Sequence, residues 1–251
     1  MNFNKDYPIA ILDTNIVMDV PNILDILKSC NIVIPFMLIE ELDNHKKENK
    51  GARDFVNNFL ALSEKANLSK DGYKLENDCM LYLDIDKNNS YHKDINIDSK
   101  KQDVKFIAEA KNLKEKYNDM AVVLLSSDKI MKITASNFEV EVKTLEEFIS
   151  KYIKENDRNA ILDILYNLFE EYSKNRDNVN SKLMYKMIYD ISVNSNNIDG
   201  LFKLTEKSRY NSEEIYKKIY DICVNTNNVD ELFKLAEKSR YNSEEIYKII
   251  F

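Results

Sequence analysis

Four acidic residues stand where short apolar runs end or helical patterns begin. Asp13 directly follows Ile9-Ala10-Ile11-Leu12, and Asp128 follows Leu125-Ser126-Ser127. Glu41, beside Glu40, lies one turn into a helical stretch after Ile32-Val33-Ile34-Pro35, and Asp103 opens another such stretch. Brought to one edge, four carboxylates repel one another unless a cation neutralises them. Mg²⁺ or Mn²⁺ suits that task, because both prefer hard oxygen ligands and keep several waters. A bound ion lowers the pKa of water, and a pair of ions roughly 3.5–4 Å apart flanks the attacking and leaving oxygens of a phosphoryl displacement. That chemistry requires no glycine loop, histidine or cysteine. Taken singly, Asp13 and Asp128 read equally as helix caps, and Asn15 and Ser126 as local hydrogen-bonding partners beside them. The ordered combination of all four acids favours the metal reading.

The elements that must position these acids follow from hydrophobic period. Short apolar runs at 9–12, 32–34, 120–125 and 138–142 read as buried strands, and 22–30, 36–49, 52–66, 100–117 and 129–135 as helices between them. Met80-Leu81-Tyr82-Leu83 suggests an inserted strand, followed by a polar loop to Ser99. Continuous apolar strands joined by helices imply an α/β domain with a parallel sheet covered on both faces. Ligands of such sheets bind outside the carboxyl ends of the strands, where Asp13 and Asp128 fall.

Beyond residue 155 the texture changes. Residues 189–219 and 220–250 align without a gap at a period of 31, with 25 identical positions. An older copy is visible at 180–191, preceded by a helix over 160–174. Each unit reads as two helices, with capping boxes at Asn211/Glu214 and Asn242/Glu245. Ile215, Ile219 and Ile222 recur at helical spacing, a stripe that units bury by stacking. The expectation is a domain over 1–155 followed by an all-α, solenoid-like repeat domain over 156–251. Ile249-Ile250-Phe251 carry no polar cap, so a protein partner or a second copy of the chain is expected to cover the last unit.

Composition narrows the function classes. With three glycines, none within 20 residues of another, phosphate-cradling glycine loops are excluded. Cys30, Cys79 and Cys223 form no zinc-type spacing, and a thiol-poor chain with an odd cysteine count suits a reducing cytosol. The longest apolar run, 32–39, falls far short of the roughly 20 residues of a membrane span. No signal peptide is apparent either, so the expectation is a cytoplasmic protein without a membrane. A net charge of -7 argues against a broad basic surface, which leaves only local nucleic-acid contacts.

The order Asp13-Thr14-Asn15, then Pro35 to Asp43 with its Glu40-Glu41-Leu42, then Asp103-Val104-Lys105, then Ser126-Ser127-Asp128, resembles the PIN domain of metal-dependent ribonucleases. The second motif, with Lys46, Lys47 and Arg53 after it, is most similar to PIN domains found ahead of PhoH-type ATPases, although no Walker sequence occurs in this chain. The resemblance covers residues 7–147. It implies a Rossmann-like three-layer α/β/α fold and Mg²⁺- or Mn²⁺-dependent endonucleolytic hydrolysis of single-stranded RNA. Asp13, Glu41, Asp103 and Asp128 match the family's acidic quartet as catalytic and metal-binding residues, Glu41 being preferred to Glu40 because it directly precedes Leu42. Asn15 and Ser126 match positions that support the acids. Lys46, Lys47, Arg53, Lys101 and Lys105 are candidates for holding the phosphate backbone, although exposed lysines are commonly just a solvated face. A haloacid-dehalogenase-like phosphatase would want an Asp where Asn15 stands. The alternative of a different class is a non-catalytic RNA- or protein-binding module on the same scaffold, with the repeats carrying the function.

Overall fold

The computed structural model describes residues 1–85, 102–208, 212–239 and 243–250. The chain divides into two compact units, Met1–Arg158 and Asn159–Phe251.

In the first unit the described elements run β1 (Ile9–Leu12), α1 (Thr14–Asp19), α2 (Ile23–Ile26), β2 (Asn31–Pro35), α3 (Phe36–His45), α4 (Lys50–Ser63), β3 (Tyr73–Lys74) and β4 (Met80–Asp84). They continue with α5 (Gln102–Lys116), β5 (Val122–Leu125), α6 (Lys129–Ser136), β6 (Glu141–Lys143) and α7 (Leu145–Tyr152). The six strands form one sheet in the order β3-β4-β2-β1-β5-β6. All pairings are parallel except β3 against β4. Every residue of β1, β2 and β5 is buried, as expected of central strands covered on both faces. The α/β reading is therefore borne out.

Strand order reverses at β1: the chain winds outward through β2 and β4 on one side, then crosses to β5 and β6 on the other. The crevice between the carboxyl ends of β1 and β5 is thus the switch point of the sheet. Register sets Leu12 opposite Leu125, so Asp13 and Ser126 emerge side by side.

Several elements differ from the sequence reading. The segment 80–83 is not an insertion: β4 pairs along its full length with β2. The helix read over 22–30 shrinks to four residues. Leu27 is already extended and Ser29 takes φ 49°, turning the chain into β2 while Ile23, Leu24, Ile26 and Leu27 stay buried. Their burial produced a helical pattern without requiring helix. The strand read over 138–142 begins only at Glu141, because Glu139 adopts φ 59° in the turn that ends α6. Gly72 is the glycine whose backbone matters most. At φ 72° it lies against Tyr82, and a Cβ there would collide with the ring. The polar loop expected up to Ser99 lies outside the described residues.

The second unit is helical: α8 (Glu155–Lys174, which starts in the first unit), α9 (Asn178–Asn194), α10 (Ile198–Lys207), α11 (Ser212–Thr226), α12 (Val229–Ser239) and α13 (Ser243–Ile250). Its turns manage without glycine. Arg176, Asn196 and Asn227 each take positive φ just after a helix. The next residue donates its N–H to a carbonyl five positions back: Asp177 to Tyr172, Asn197 to Ser192 and Asn228 to Cys223. These are Schellman closures. Each following residue also caps the next helix through its side chain, which accepts from Asn180, Gly200 or Glu231 N–H. One residue pair thus stops a helix and starts another. Ile215, Ile219 and Ile222 are buried, as their spacing predicts. The caps proposed at Asn211 and Asn242 lie outside the described residues. No helix among the described residues is long and apolar enough to cross a membrane.

Candidate functional site

Asp13 is the first residue past β1, and its backbone still belongs to the sheet: its N–H donates to Leu125 O at 3.1 Å. The next residue starts α1, so the side chain turns inward over the switch point, where it is only 5 % exposed. One carboxylate oxygen accepts from Thr14 N at 2.7 Å, and the other from the Ser126 hydroxyl at 2.7 Å. Burial pushes the Asp13 carboxyl up to about 6. The two hydrogen bonds pull against that rise, and the nearby charges of Glu41 and Asp103 add to it.

Ser126 is the hub between the two strand ends. While donating to Asp13, its Oγ accepts from Asn15 Nδ2 at 3.2 Å and from the Asp128 backbone N–H at 3.0 Å. Asn15 completes the clamp by accepting from Ser127 N–H at 3.2 Å. The two residues assigned supporting positions thus join the β1 and β5 ends to each other.

Glu41 arrives from α3. Of the acidic doublet, Glu40 faces solvent, whereas Glu41 is half-buried and accepts from the Thr14 hydroxyl at 2.6 Å. The sequence reading missed Thr14 as a positioning residue. The available signal was its place inside the Asp13-Thr14-Asn15 motif, but nothing in the sequence announces a contact across 27 positions. Asp103, in the first turn of α5, is half-buried and within electrostatic reach of Asp13.

Asp128 is placed differently. Its carboxylate caps α6, accepting from Ile130 N–H at 2.6 Å and Met131 N–H at 3.4 Å. It is tied to the others through its backbone bond to Ser126. Among the described residues, no three His, Cys, Asp or Glu side chains approach closely enough to form a metal-holding group. Asp13, Glu41 and Asp103 thus share a field without forming a closed cluster, and the Asp128 carboxylate is engaged at the start of α6. Of the basic candidates, Lys46 pairs with Asp43 at 2.5 Å, Lys47 and Arg53 are exposed, and Lys105 is half-buried. Lys101 lies outside the described residues.

A family model described as PIN domain matches residues 10–146, more than half of the chain. Among curated proteins, Protein PhoH2 of Bacillus subtilis (strain 168) is 28% identical over 187 residues, which cover 68% of this chain and 41% of that protein. The chain therefore spans about two-fifths of that relative's length. No solved structure matches.

Proposed function

Since the chain belongs to the PIN domain family, we propose that residues 1–155 act as a Mg²⁺- or Mn²⁺-dependent endoribonuclease, hydrolysing phosphodiester bonds of single-stranded RNA by metal-activated water. Residues 156–251 are proposed to recruit a protein partner or position the substrate, and the protein to work in the cytoplasm. Nuclease-type chemistry, typically with a divalent metal, belongs to the family as a whole. RNA as substrate, internal cleavage and the role of the repeats are proposed for this chain.

The observation that carries the reading is the Asp13 carboxylate, 5 % exposed at the sheet's switch point, with Glu41 and Asp103 near enough for their charges to oppose its ionisation. Like charges held together there are relieved by a cation, and a donor set made of carboxylate oxygens fits a hard divalent ion. Asp13, Glu41 and Asp103 would hold it, with Asp128 closing the site from the β5 end. When bound, Mg²⁺ or Mn²⁺ supplies charge neutralisation and an acidified water. The chain's own contribution is orientation. Ser126 and the Thr14 amide fix both oxygens of Asp13, the Thr14 hydroxyl aims Glu41, and Asn15 holds the β1 and β5 ends in register. Lys46, Lys47, Arg53, Lys101 and Lys105 are proposed to hold phosphates of the strand.

A non-catalytic binding module is the second reading. It is favoured by the use of Asp128 as a cap and by the open spacing of the acids. Labelled single-stranded RNA incubated with the full chain and Mn²⁺ or Mg²⁺ separates the two. The expected result is metal-dependent internal cleavage, lowered by about 10³-fold or more in Asp13→Asn. Equal activity in wild type, Asp13→Asn and Asp128→Asn would sink the nuclease assignment. RNA binding that survives these substitutions, without cleavage, is what the binding module predicts.

A further inference from the structure

Cys30 and Cys79 are 49 positions apart in the sequence, yet their sulfurs lie 3.5 Å from each other. Both residues are fully buried. Each immediately precedes a strand, and those strands, β2 and β4, are parallel neighbours whose first registered pair is Asn31 with Met80. The pairing extends one step further back, since the Met80 N–H donates to Cys30 O at 3.1 Å. The two cysteines therefore stand side by side at the amino edge of the sheet, away from the carboxyl edge where Asp13 emerges.

Two side chains hold the backbone around the pair. Asn77 accepts from the Cys79 N–H at 3.2 Å and donates to Leu24 O at 2.6 Å, which ties the β3–β4 turn to the segment before β2. Asn31, just after Cys30, donates to Asn4 O at 2.9 Å and Tyr7 O at 3.1 Å. Neighbouring strands lie about 4.8 Å apart, within the Cα span of roughly 4.4–6.8 Å that a disulfide bridges. Closing the sulfurs to about 2.05 Å thus needs side-chain adjustment and no change of register. Access comes through the hairpin: β3 has two residues, and Glu76 and Asp78 of the turn are exposed. An open groove beside it is lined by Lys28, two positions from Cys30, and by Asn77, two positions from Cys79. So short an edge hairpin opens at less cost than the sheet as a whole. Burial, together with the neighbouring sulfur, holds the Cys30 thiol well above its ordinary value, so the closed protein reacts slowly and opening sets the rate.

We propose that Cys30 and Cys79 form a reversible disulfide with small-molecule disulfides as the oxidant, a latch that fastens β4 and its hairpin to β2. When the hairpin opens, the Cys79 thiolate attacks one sulfur of the small disulfide. That S–S bond breaks, a mixed disulfide forms on Cys79, and one small thiol leaves. On reclosure Cys30 gives up its proton and attacks the Cys79 sulfur, expelling the second small thiol. The two cysteine thiols are oxidised to one disulfide, the small disulfide is reduced to two thiols, and the two cysteine protons end on them. Excess small thiol runs the exchange backwards. The bond closes a loop spanning 49 positions, so it stabilises chiefly by restricting the unfolded chain. The acids of the proposed nuclease site lie at the other ends of the strands, and the inference is independent of that reading.

The test uses the full chain without metal, held in oxidised glutathione just below its unfolding midpoint, then alkylated and mapped by non-reducing peptide mass spectrometry. The expected product is a Cys30–Cys79 cross-link lighter by two hydrogens, which excess dithiothreitol opens. Oxidation should raise the thermal midpoint of the wild type by about 5 °C or more, and should not raise that of Cys79→Ala. Each protein is compared with its own reduced form, so any stability lost through the substitution itself cancels. Thiols that both remain open to alkylation overturn the proposal. So do separate glutathione adducts on Cys30 and Cys79 in place of the cross-link, a cross-link that dithiothreitol leaves intact, or one that does not move the midpoint.

Discussion

In the unit Met1–Arg158 three carboxylates, Asp13, Glu41 and Asp103, are drawn toward one crevice of the sheet. In Asn159–Phe251, Asp163 and Glu170 of α8 pair with Lys203 and Lys207 of α10, and Asp199 and Glu206 of α10 pair with Lys234 and Lys238 of α12. The first arrangement is costly in an empty site, because burial and like charge both oppose ionisation of Asp13. The second costs little and contributes little, since its partners remain well exposed. Charge gathered against its own preference is what the proposed cation would relieve. Charge paired along a surface indicates how modules line up. Repeat stability must then come from the apolar stripe, and the sheet must carry the burden of its acidic edge.

Three experiments press on that contrast. The largest effect is expected where charge plays no part: Ile219→Ala, at a fully buried position of α11, should destabilise the protein by about 3 kcal/mol in denaturant unfolding. A loss under about 1 kcal/mol would mean that the stripe is not what holds the repeats together. Next comes the cost of Asp13. Its folded pKa of about 6 lies above the ordinary value of 3.8, so the folded state holds the extra proton between them. Stability without metal should therefore fall as pH rises from about 4 to about 6.5, by about 2 kcal/mol more in wild type than in Asp13→Asn. Added Mn²⁺ should reduce that loss. Parallel pH profiles for the two proteins would remove the strain assigned to the acidic edge. The smallest change is expected from Lys207→Ala, which deletes one rung of the ladder. It should cost less than about 1 kcal/mol and vanish at high salt. A loss as large as that of Ile219→Ala would show that the rungs bear weight after all.

Asp13, Asp103 and Asp128 were legible because each sits at a boundary between elements, and hydrophobic period reveals boundaries well; Glu41, inside α3, was picked out only by the motif around Leu42. What joins them was harder to read. Ser126 could be paired with Asp13 in principle, since both follow strands, but only the β1–β5 register makes them neighbours. The Thr14–Glu41 bond depends on how α3 lies beside α1, which no local pattern encodes. Asp128 shows the limit of reading residue types: its carboxylate caps α6, the bland alternative, while its backbone still belongs to the site. In the repeats the period was plain and the ladder was not. Lys203 reaches back 40 residues to Asp163 and Lys234 reaches 35 to Asp199, so neither distance equals the 31-residue repeat. Only knowing which helices stack turns the spacing into contacts.

The two rims of the sheet have a consequence for how the protein behaves when crowded. One is closed by β3, two residues long and antiparallel to its neighbour, and the other by β6, three residues long. Glu141 and Lys143 of β6 sit among charges that include Lys151. Strands so short, and so charged on one side, give an incoming chain little backbone to pair with. The long apolar strands that would make good templates for aggregation, β1 and β2, are in the middle, each with both edges already taken. A sheet this rich in isoleucine, leucine and valine is kept from propagating into its neighbours by its shortest members.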